Sequence, residues 1–324
     1  MNNFAYVNAT TLSQATAALG KNWSEAMVLA GGTDLIGLMK DYVMSPQRLV
    51  NIKGIKELQG ISKTSKGLQI GAAVTFDALA ANATVRQMYP SLYEAVMGVT
   101  SPQIRNMGTV GGDLCQRPRC WYFRLGHGVL AMKDGKSLVD GGENKYHAIF
   151  PKGNAKFVSA SSLGPVLVAL GATIQLQSSA STREVPAADF FVAPASNEAR
   201  EIALQPNELV VSINLPNPGK NATYEVRQKD ALDWPLATAS VNLTMKGNTV
   251  EAAKIVLGHV GPVPVDASAA AKSLVGKPIS EATAMAAGEA AVAGAQPLSQ
   301  NAYKIQLARV AVKRALLAAA GVKA

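Results

Sequence analysis

Two diglycine elements, Ala30-Gly31-Gly32-Thr33-Asp34-Leu35 and Thr109-Val110-Gly111-Gly112-Asp113-Leu114, carry the residue types from which a backbone cradle for an anion is made. Glycine lacks a Cβ, so it admits positive φ and lets main-chain N–H groups approach a ligand closely. The first pair follows the apolar run Ala26-Met27-Val28-Leu29 and precedes Leu35-Ile36-Gly37-Leu38-Met39-Lys40. That places it at a strand-to-helix turn, where Thr33 and Asp34 can cap the helix and an anion can bind. Singly, each pair is an ordinary tight turn; as two copies, they can hold the two ends of one extended diphosphate. Neither has the spacing of G-x-G-x-x-G or of G-x-x-x-x-G-K-S/T, so a Rossmann fingerprint and a P-loop are both excluded.

The elements that must position these turns follow from periodicity. A helical stretch at residues 12–19 and strands at 26–30 and 48–52 make one small α/β unit. A strand at 68–74 and a helical pattern over 76–96 begin a second, in which the helix ends near Thr100-Ser101-Pro102. Residues 115–155 have no sustained period and read as a long irregular insertion. Order resumes at 156–159, with a helix at 163–170 and strands at 173–177 and 209–215. Residues 216–221 (PNPGKN) read as a linker, and Lys246-Gly247-Asn248-Thr249 as a hairpin turn between strands at 239–245 and 253–257. An alanine-rich helical region closes the chain, its last helix presenting Ile305, Ala308, Val312, Ala315 and Leu316 on one face. The fold class is α+β. A first domain at 1–216 is built of two α/β subdomains (about 1–55 and 56–216, the latter with the insertion at about 115–155), and a small domain of sheet and helices spans 222–324.

Composition narrows the chemistry. The 324 residues are 48% hydrophobic and 16% charged, as in a soluble globular protein, and no apolar stretch reaches the length of a membrane span. The first residues carry neither a basic leader nor an apolar signal core, so a cytoplasmic location is expected. The net charge is +9, with one local concentration at Arg105, Arg117, Arg119 and Arg124 that suits an acidic partner or a nucleotide's phosphates. No basic stripe is interleaved with aromatics, which are 6% of the chain, so nucleic-acid binding is excluded. Cys115 and Cys120 are too few for a disulfide framework and lack zinc-knuckle spacing, and they read as buried or inert thiols. His127, His147 and His259 read as structural or exposed, and no catalytic acid or base is expected.

The chain resembles the FAD-binding medium subunits of molybdenum hydroxylases of the xanthine dehydrogenase and carbon monoxide dehydrogenase type. The resemblance covers essentially the whole chain. It rests on residues 30–35 (AGGTDL), 101–114 (SPQIRNMGTVGGDL) and 230–237 (DALDWPLA), and on a C-terminal domain of the expected size. It implies a PCMH-type FAD-binding domain followed by a flavoprotein C-terminal domain, in a heterotrimeric oxidoreductase. FAD would be held without a covalent bond by Leu29, Ala30, Gly31, Gly32, Thr33, Asp34 and Leu35 on one side. Ser101, Ile104, Arg105, Asn106, Thr109, Val110, Gly111, Gly112 and Asp113 would hold it on the other, with Ser162 and Leu163 adding contacts and Lys229 and Trp234 near the isoalloxazine. Ser162 stands where such subunits usually carry Asp, so a charge is missing there.

The resemblance also implies a role. Electrons would pass from [2Fe–2S] centres of a small subunit through FAD to an external acceptor (NAD, oxygen or a protein), while a large subunit holds the molybdopterin and oxidises substrate. Relatives of the hydroxybenzoyl-CoA reductase and periplasmic aldehyde oxidoreductase types hold a further [4Fe–4S] cluster in the insertion. Here Cys120 would be its first ligand, but Ala131, Ser137 and Ala155 stand at the others, so the loop is expected without the cluster. The alternatives are a stand-alone FAD oxidase, which many relatives build on a covalent His or Cys absent from residues 26–40, and a non-enzymatic assembly subunit. Co-export with a signal-bearing partner would place the complex in the periplasm instead.

Overall fold

The computed structural model describes residues 1–322. Three larger sheets organise the described residues, beside a two-stranded one, Met132–Lys133 with Lys136–Ser137, in the insertion. The first is parallel, ordered Ala5–Asn8, Arg48–Asn51, Ala26–Leu29, with helices Leu12–Ala18 and Leu35–Lys40 in the crossovers. Thr11 caps the former through the Gln14 N–H at 3.2 Å.

The second sheet is antiparallel, ordered Ile61–Thr64, Gly67–Gly71, Leu209–Pro216, Thr173–Gln177, Thr182–Pro186. Helices Phe76–Ala81, Pro90–Gly98 and Leu163–Ala169 share its core, where Ile70, Leu79, Leu92, Leu167, Ile174 and Ile213 are fully buried. The continuous helical pattern expected over 76–96 is three helices. Asn82 ends the first and caps the second, Ala83–Met88, by accepting from Val85 N at 3.1 Å, and Pro90 starts the third. Asparagine competes for backbone donors and proline supplies none, so the apolar period runs on while the helix does not.

The third sheet is an antiparallel meander of Lys220–Val226, Ala237–Lys246, Thr249–Gly258 and Val265–Asp266. The hairpin turn expected at 246–249 is there, with Gly247 at φ 59°. Helices Ser268–Leu274, Glu281–Val292 and Tyr303–Ala320 cover one face of this sheet around Val241, Leu243, Ile255, Ala308, Val312 and Leu316. The expected linker at 216–221 is an ordered connection instead. Asn217 N donates to Lys66 O at 3.0 Å, Gly219 N to Asn242 Oδ1 at 2.9 Å, and Lys220 already begins a strand.

The other face of the third sheet is polar and packs on the helix Pro90–Gly98. Alternate residues of Lys220–Val226 meet residues three or four apart on the helix, the periods of strand and helix respectively. Asn221 Oδ1 accepts from Ser91 Oγ at 2.7 Å, Thr223 N donates to Glu94 Oε2 at 2.7 Å, and Glu225 lies against Gly98. Among the described residues no helix is long and apolar enough to cross a membrane.

Candidate functional site

A cavity of about 320 Å³ opens between the first two sheets and the polar edge of the third. Both diglycine elements line its wall, but they are built differently. Among the described residues, the N–H groups of Gly31, Gly32, Thr33 and Asp34 donate to no protein acceptor. Four consecutive unengaged N–H groups are the feature from which an anion cradle is built. Of its two glycines, Gly32 has positive φ, 73°. Gly31 is needed for close approach: a Cβ there would stand 2.7 Å from Met107 C and 3.2 Å from Gly108 Cα.

The second diglycine is not a turn. Gly111 and Gly112 lie inside the short helix Val110–Cys115, capped by Thr109, and their N–H groups are engaged. Gly111 N donates to Ala72 O at 2.8 Å and Gly112 N to Thr109 Oγ1 at 3.1 Å, while Val110 N goes to Val74 O at 2.9 Å. A Cβ on Gly111 would sit 2.9 Å from the Ala72 methyl, so this element offers a bare, closely packed surface rather than free donors.

Asp34 does not cap its helix. Its carboxylate accepts from Arg117 N and Arg124 Nη2, both at 2.8 Å, and pairs with Arg119 Nη1 at 3.0 Å, pinning the start of the insertion onto the first turn. Charged donors from distant residues outcompete a local cap here. Arg117 also donates to Glu201 at 2.8 Å, and Arg119 stacks on Trp234 at 4.5 Å. Arg105, grouped with these in sequence, turns instead to Asp77 at 3.2 Å and Val99 O at 2.8 Å.

Of the residues expected at the cofactor, Ala30, Gly31, Gly32, Thr33, Asp34, Leu35, Ser101, Ile104, Thr109, Gly111, Gly112, Asp113, Ser162 and Trp234 line the cavity. Leu29, Val110 and Leu163 lie behind the wall in hydrophobic cores, and Arg105, Asn106 and Lys229 do not line it. Asp113 joins two of these segments. Its carboxylate accepts from Gln116 Nε2 at 2.9 Å, Ser162 N at 3.3 Å, Leu163 N at 3.0 Å and the Ser161 hydroxyl. Burial raises it to about 6 against those hydrogen bonds.

Sequence reasoning missed Arg200. Its side chain is 7% exposed, lines the cavity and stacks on Trp23 at 4.4 Å. Nη1 has no partner, and Nε stands 3.5 Å from Glu201 without forming a hydrogen bond. Burial lowers its guanidinium to about 10, and Arg117 adds to the effect. No motif surrounds it, so only its charge could have drawn attention.

In the insertion, Cys120 Sγ lies 3.2 Å from His147 Nε2, beside Trp121, Tyr122 and Tyr146. Burial raises the thiol and lowers the imidazole to about 4, so the pair is neutral. Ala131 and Ala155 are buried, and among the described residues no group of three or more His, Cys, Asp or Glu could hold a metal.

Comparison with known proteins gives matches over the whole chain. The family model described as the FAD binding domain in molybdopterin dehydrogenase matches residues 2–218, and that of the CO dehydrogenase flavoprotein C-terminal domain matches residues 222–319. The carbon monoxide dehydrogenase medium chain of Hydrogenophaga pseudoflava is 30% identical, covering 98% of this chain and 96% of its own. The aldehyde oxidoreductase FAD-binding subunit PaoB of Escherichia coli K12 is also 30% identical, over 95% and 96%. Among solved structures, quinoline 2-oxidoreductase from Pseudomonas putida 86 aligns with a TM-score of 0.77 at 26% identity, covering 99% of this chain and 98% of that one.

Proposed function

We propose a function from one premise: the chain belongs to the family of FAD-binding medium subunits of molybdopterin dehydrogenases, with the CO dehydrogenase flavoprotein domain at its C-terminus. It serves as the flavoprotein subunit of a molybdenum hydroxylase, beside a small iron–sulfur subunit and a large molybdopterin-binding subunit. Residues 1–216 would form the FAD-binding domain and 222–324 the flavoprotein C-terminal domain.

The observation that carries the reading is the set of unspent donors in one cavity. Four free N–H groups at residues 31–34 border a cavity that Arg200 and Trp23 also line. An anionic, extended cofactor fits this donor set. The turn at 31–34 would hold the diphosphate, while Arg200 and Trp23 would meet another polar part of the same molecule. Gly111 and Gly112 would let it lie close against the helix they belong to. Ser101, Ile104, Thr109, Ser162 and Trp234 complete the wall.

Bound FAD would supply electron transfer between the partner's [2Fe–2S] centres and an external acceptor. The protein's part is to bind, orient and tune. Asp34 draws Arg119 and Arg124 to the wall, Arg119 holds Trp234 by stacking, and Asp113 fixes Ser162 at the cavity. Arg117, Arg119 and Arg200 line the wall against Asp34, Asp113 and Asp233, so the charges of the lining balance, and Asp34 is already spent on its arginine partners.

Purification with the flanking subunits tests the reading. The expected result is one FAD per chain, released on denaturation, and three co-purifying polypeptides. A chain that takes up no flavin even on reconstitution would overturn it, and a flavoprotein that purifies alone would turn the reading to a free-standing oxidase.

A further inference from the structure

Four buried polar atoms without a well-aligned protein partner gather at the third sheet: Glu225 Oε1 and Thr238 Oγ1 on adjacent strands, and both ring nitrogens of His259, which lies just past the end of the next strand with the Ala160 backbone facing its ring. Glu225 pairs with Thr238 on the next strand, and Thr238 with Gly258 on the one after, with His259 following directly. The Glu225 side chain is 6% exposed, and Thr238 and His259 are 2% and 3% exposed. Thr238 Oγ1 fills the space a side chain on Gly258 would need. His259 holds a left-handed conformation, φ 59°, which is uncommon for a residue with a side chain. Buried polar atoms left by the protein are ordinarily satisfied by ordered water, and four together call for it here.

One end of this group reaches the cavity. A Cβ on Gly98 would stand 2.8 Å from Glu225 Cδ and 2.9 Å from Arg227 Nη2, and Gly98 lines the cavity, so a single residue's backbone separates the carboxyl from it. The charged groups around Glu225 come from every packed element. Arg227 donates to Oε2 at 2.8 Å, Asp113 lies across on the helix Val110–Cys115, and Glu94 sits one helical turn away on Pro90–Gly98. Lys304 and Arg227 flank His259. Burial lifts Glu225 to about 7, with Arg227 opposing and Asp113 adding. His259 is pushed down to about 3, chiefly by burial, so its imidazole is neutral, one nitrogen donating and the other accepting.

We propose that Glu225 is a redox-linked proton site, taking up a proton as the adjacent flavin is reduced and releasing it on reoxidation, with Thr238 and His259 lining a hydrated pocket that serves it. The proposal rests on the FAD reading above. Electrons arriving from an iron–sulfur partner come without protons, and negative charge accumulates across the Gly98 wall. The carboxylate then takes a proton from water, forming an O–H bond on Glu225 and leaving hydroxide to the buffer. Oxidation by the acceptor reverses both changes. Such a group spreads compensating charge beyond the flavin ring itself.

The test uses the FAD-loaded protein. Proton uptake on anaerobic reduction is counted with a pH indicator from about pH 5 to about pH 9, spanning the carboxyl's titration on both sides. Infrared difference spectra of reduced minus oxidised protein are recorded in parallel. Near neutral pH the wild type is expected to take up more protons per flavin than Glu225→Gln, by up to one, with the two curves merging at both extremes. A protonated-carboxyl band is expected on reduction in the wild type, and Glu225→Asp is expected to keep the extra uptake over a displaced pH range. Equal uptake in wild type and Glu225→Gln at equal FAD content, or no carboxyl band in the wild type alone, overturns the proposal while leaving the FAD site standing. Failure of the wild type to bind FAD overturns the reading beneath it.

Discussion

Replacing Gly31 by alanine is expected to damage cofactor binding out of proportion to its size, and the structure says why. The added methyl would lie 2.7 Å from Met107 C and 3.2 Å from Gly108 Cα, within contact distance of the Met107 carbonyl oxygen as well. Ordinary carbon contacts are about 3.5–4.0 Å, so the turn must retreat by roughly 1 Å. Both obstacles are backbone and cannot rotate away. The retreat moves the four free N–H groups at residues 31–34 relative to the helix Val110–Cys115, the two walls between which an extended ligand must fit. Overpacking of this kind costs about 1–3 kcal/mol. If that cost falls on the bound state, FAD affinity drops roughly fivefold to a hundredfold, at 1.4 kcal/mol per decade. Gly37→Ala is the control, because a Cβ there meets nothing within 4 Å and the residue lies in the helix Leu35–Lys40. It is expected to stabilise by about 0.5–1 kcal/mol and leave affinity unchanged. Titration of FAD fluorescence against apoprotein gives the Kd, and thermal unfolding of the apoprotein shows that the variant folds. A folded Gly31→Ala protein with the wild-type Kd would refute the reasoning.

Three further outcomes follow from the same geometry. Asp34→Asn removes the ion pairs to Arg119 and Arg124 while keeping one acceptor for Arg117 N; a loss of roughly 2 kcal/mol is expected, with faster tryptic cleavage at Arg119 and Arg124, and unchanged cleavage kinetics would count against the pin. Arg200→Met removes a buried cation of which two nitrogens lack a hydrogen-bond partner and the third makes one long bond to Cys115 O, so the apoprotein is expected to keep or gain thermal stability while FAD affinity falls roughly tenfold; an unchanged Kd by calorimetry would place the cofactor elsewhere. His147 and His259, lowered by burial to about 4 and about 3, bind fewer protons folded than unfolded below pH 6.5. Their stabilising contribution is complete above pH 6.5 and is lost as pH falls through those values. Asp113 and Glu225, raised by burial, run the other way between about pH 4 and pH 7, so the test compares thermal unfolding of wild type with a His147→Gln, His259→Asn double variant. The variant is expected to lose less stability on acidification; parallel curves would remove the histidines from the account.

The parts of the fold legible from sequence are those whose local pattern and tertiary fate agree. The helix Tyr303–Ala320 and the strands Thr173–Gln177 and Leu209–Pro216 bury the apolar residues that mark them. Ile61–Thr64 and Thr182–Pro186 escaped notice because, as edge strands, each buries one face at most and carries few apolar residues. Lys220–Val226 is harder still, since Asn221, Thr223 and Glu225 face another part of the protein rather than solvent. In the site, residue types announced the glycines but not how their donors are spent. Whether the Gly111 N–H is free depends on the Ala72 carbonyl, a neighbour that no local motif encodes. Asp34 reads locally as a cap and acts at long range, and Arg200 has no local signature at all.

The insertion is held in place by polar groups of the protein around it. Its start is fastened to the first glycine turn, through Asp34 and the arginines at 117, 119 and 124. Further along, Asn144 is fully buried and exchanges two hydrogen bonds with Gln300, at 3.1 and 2.9 Å. Asn301 donates to the carbonyls of His147 and Ala148, both at 3.1 Å, and Lys304 donates to those of His147 and His259 at 3.2 and 2.7 Å. Burial lowers the Lys304 ammonium to about 7, and these carbonyls are what offset its desolvation. The segment is thus a strap from the first glycine turn to the closing helix. A strap fastened at both ends by polar groups of the surrounding protein has its conformational entropy already met there, so Cys120 is free to serve as a neutral hydrogen-bond partner of His147.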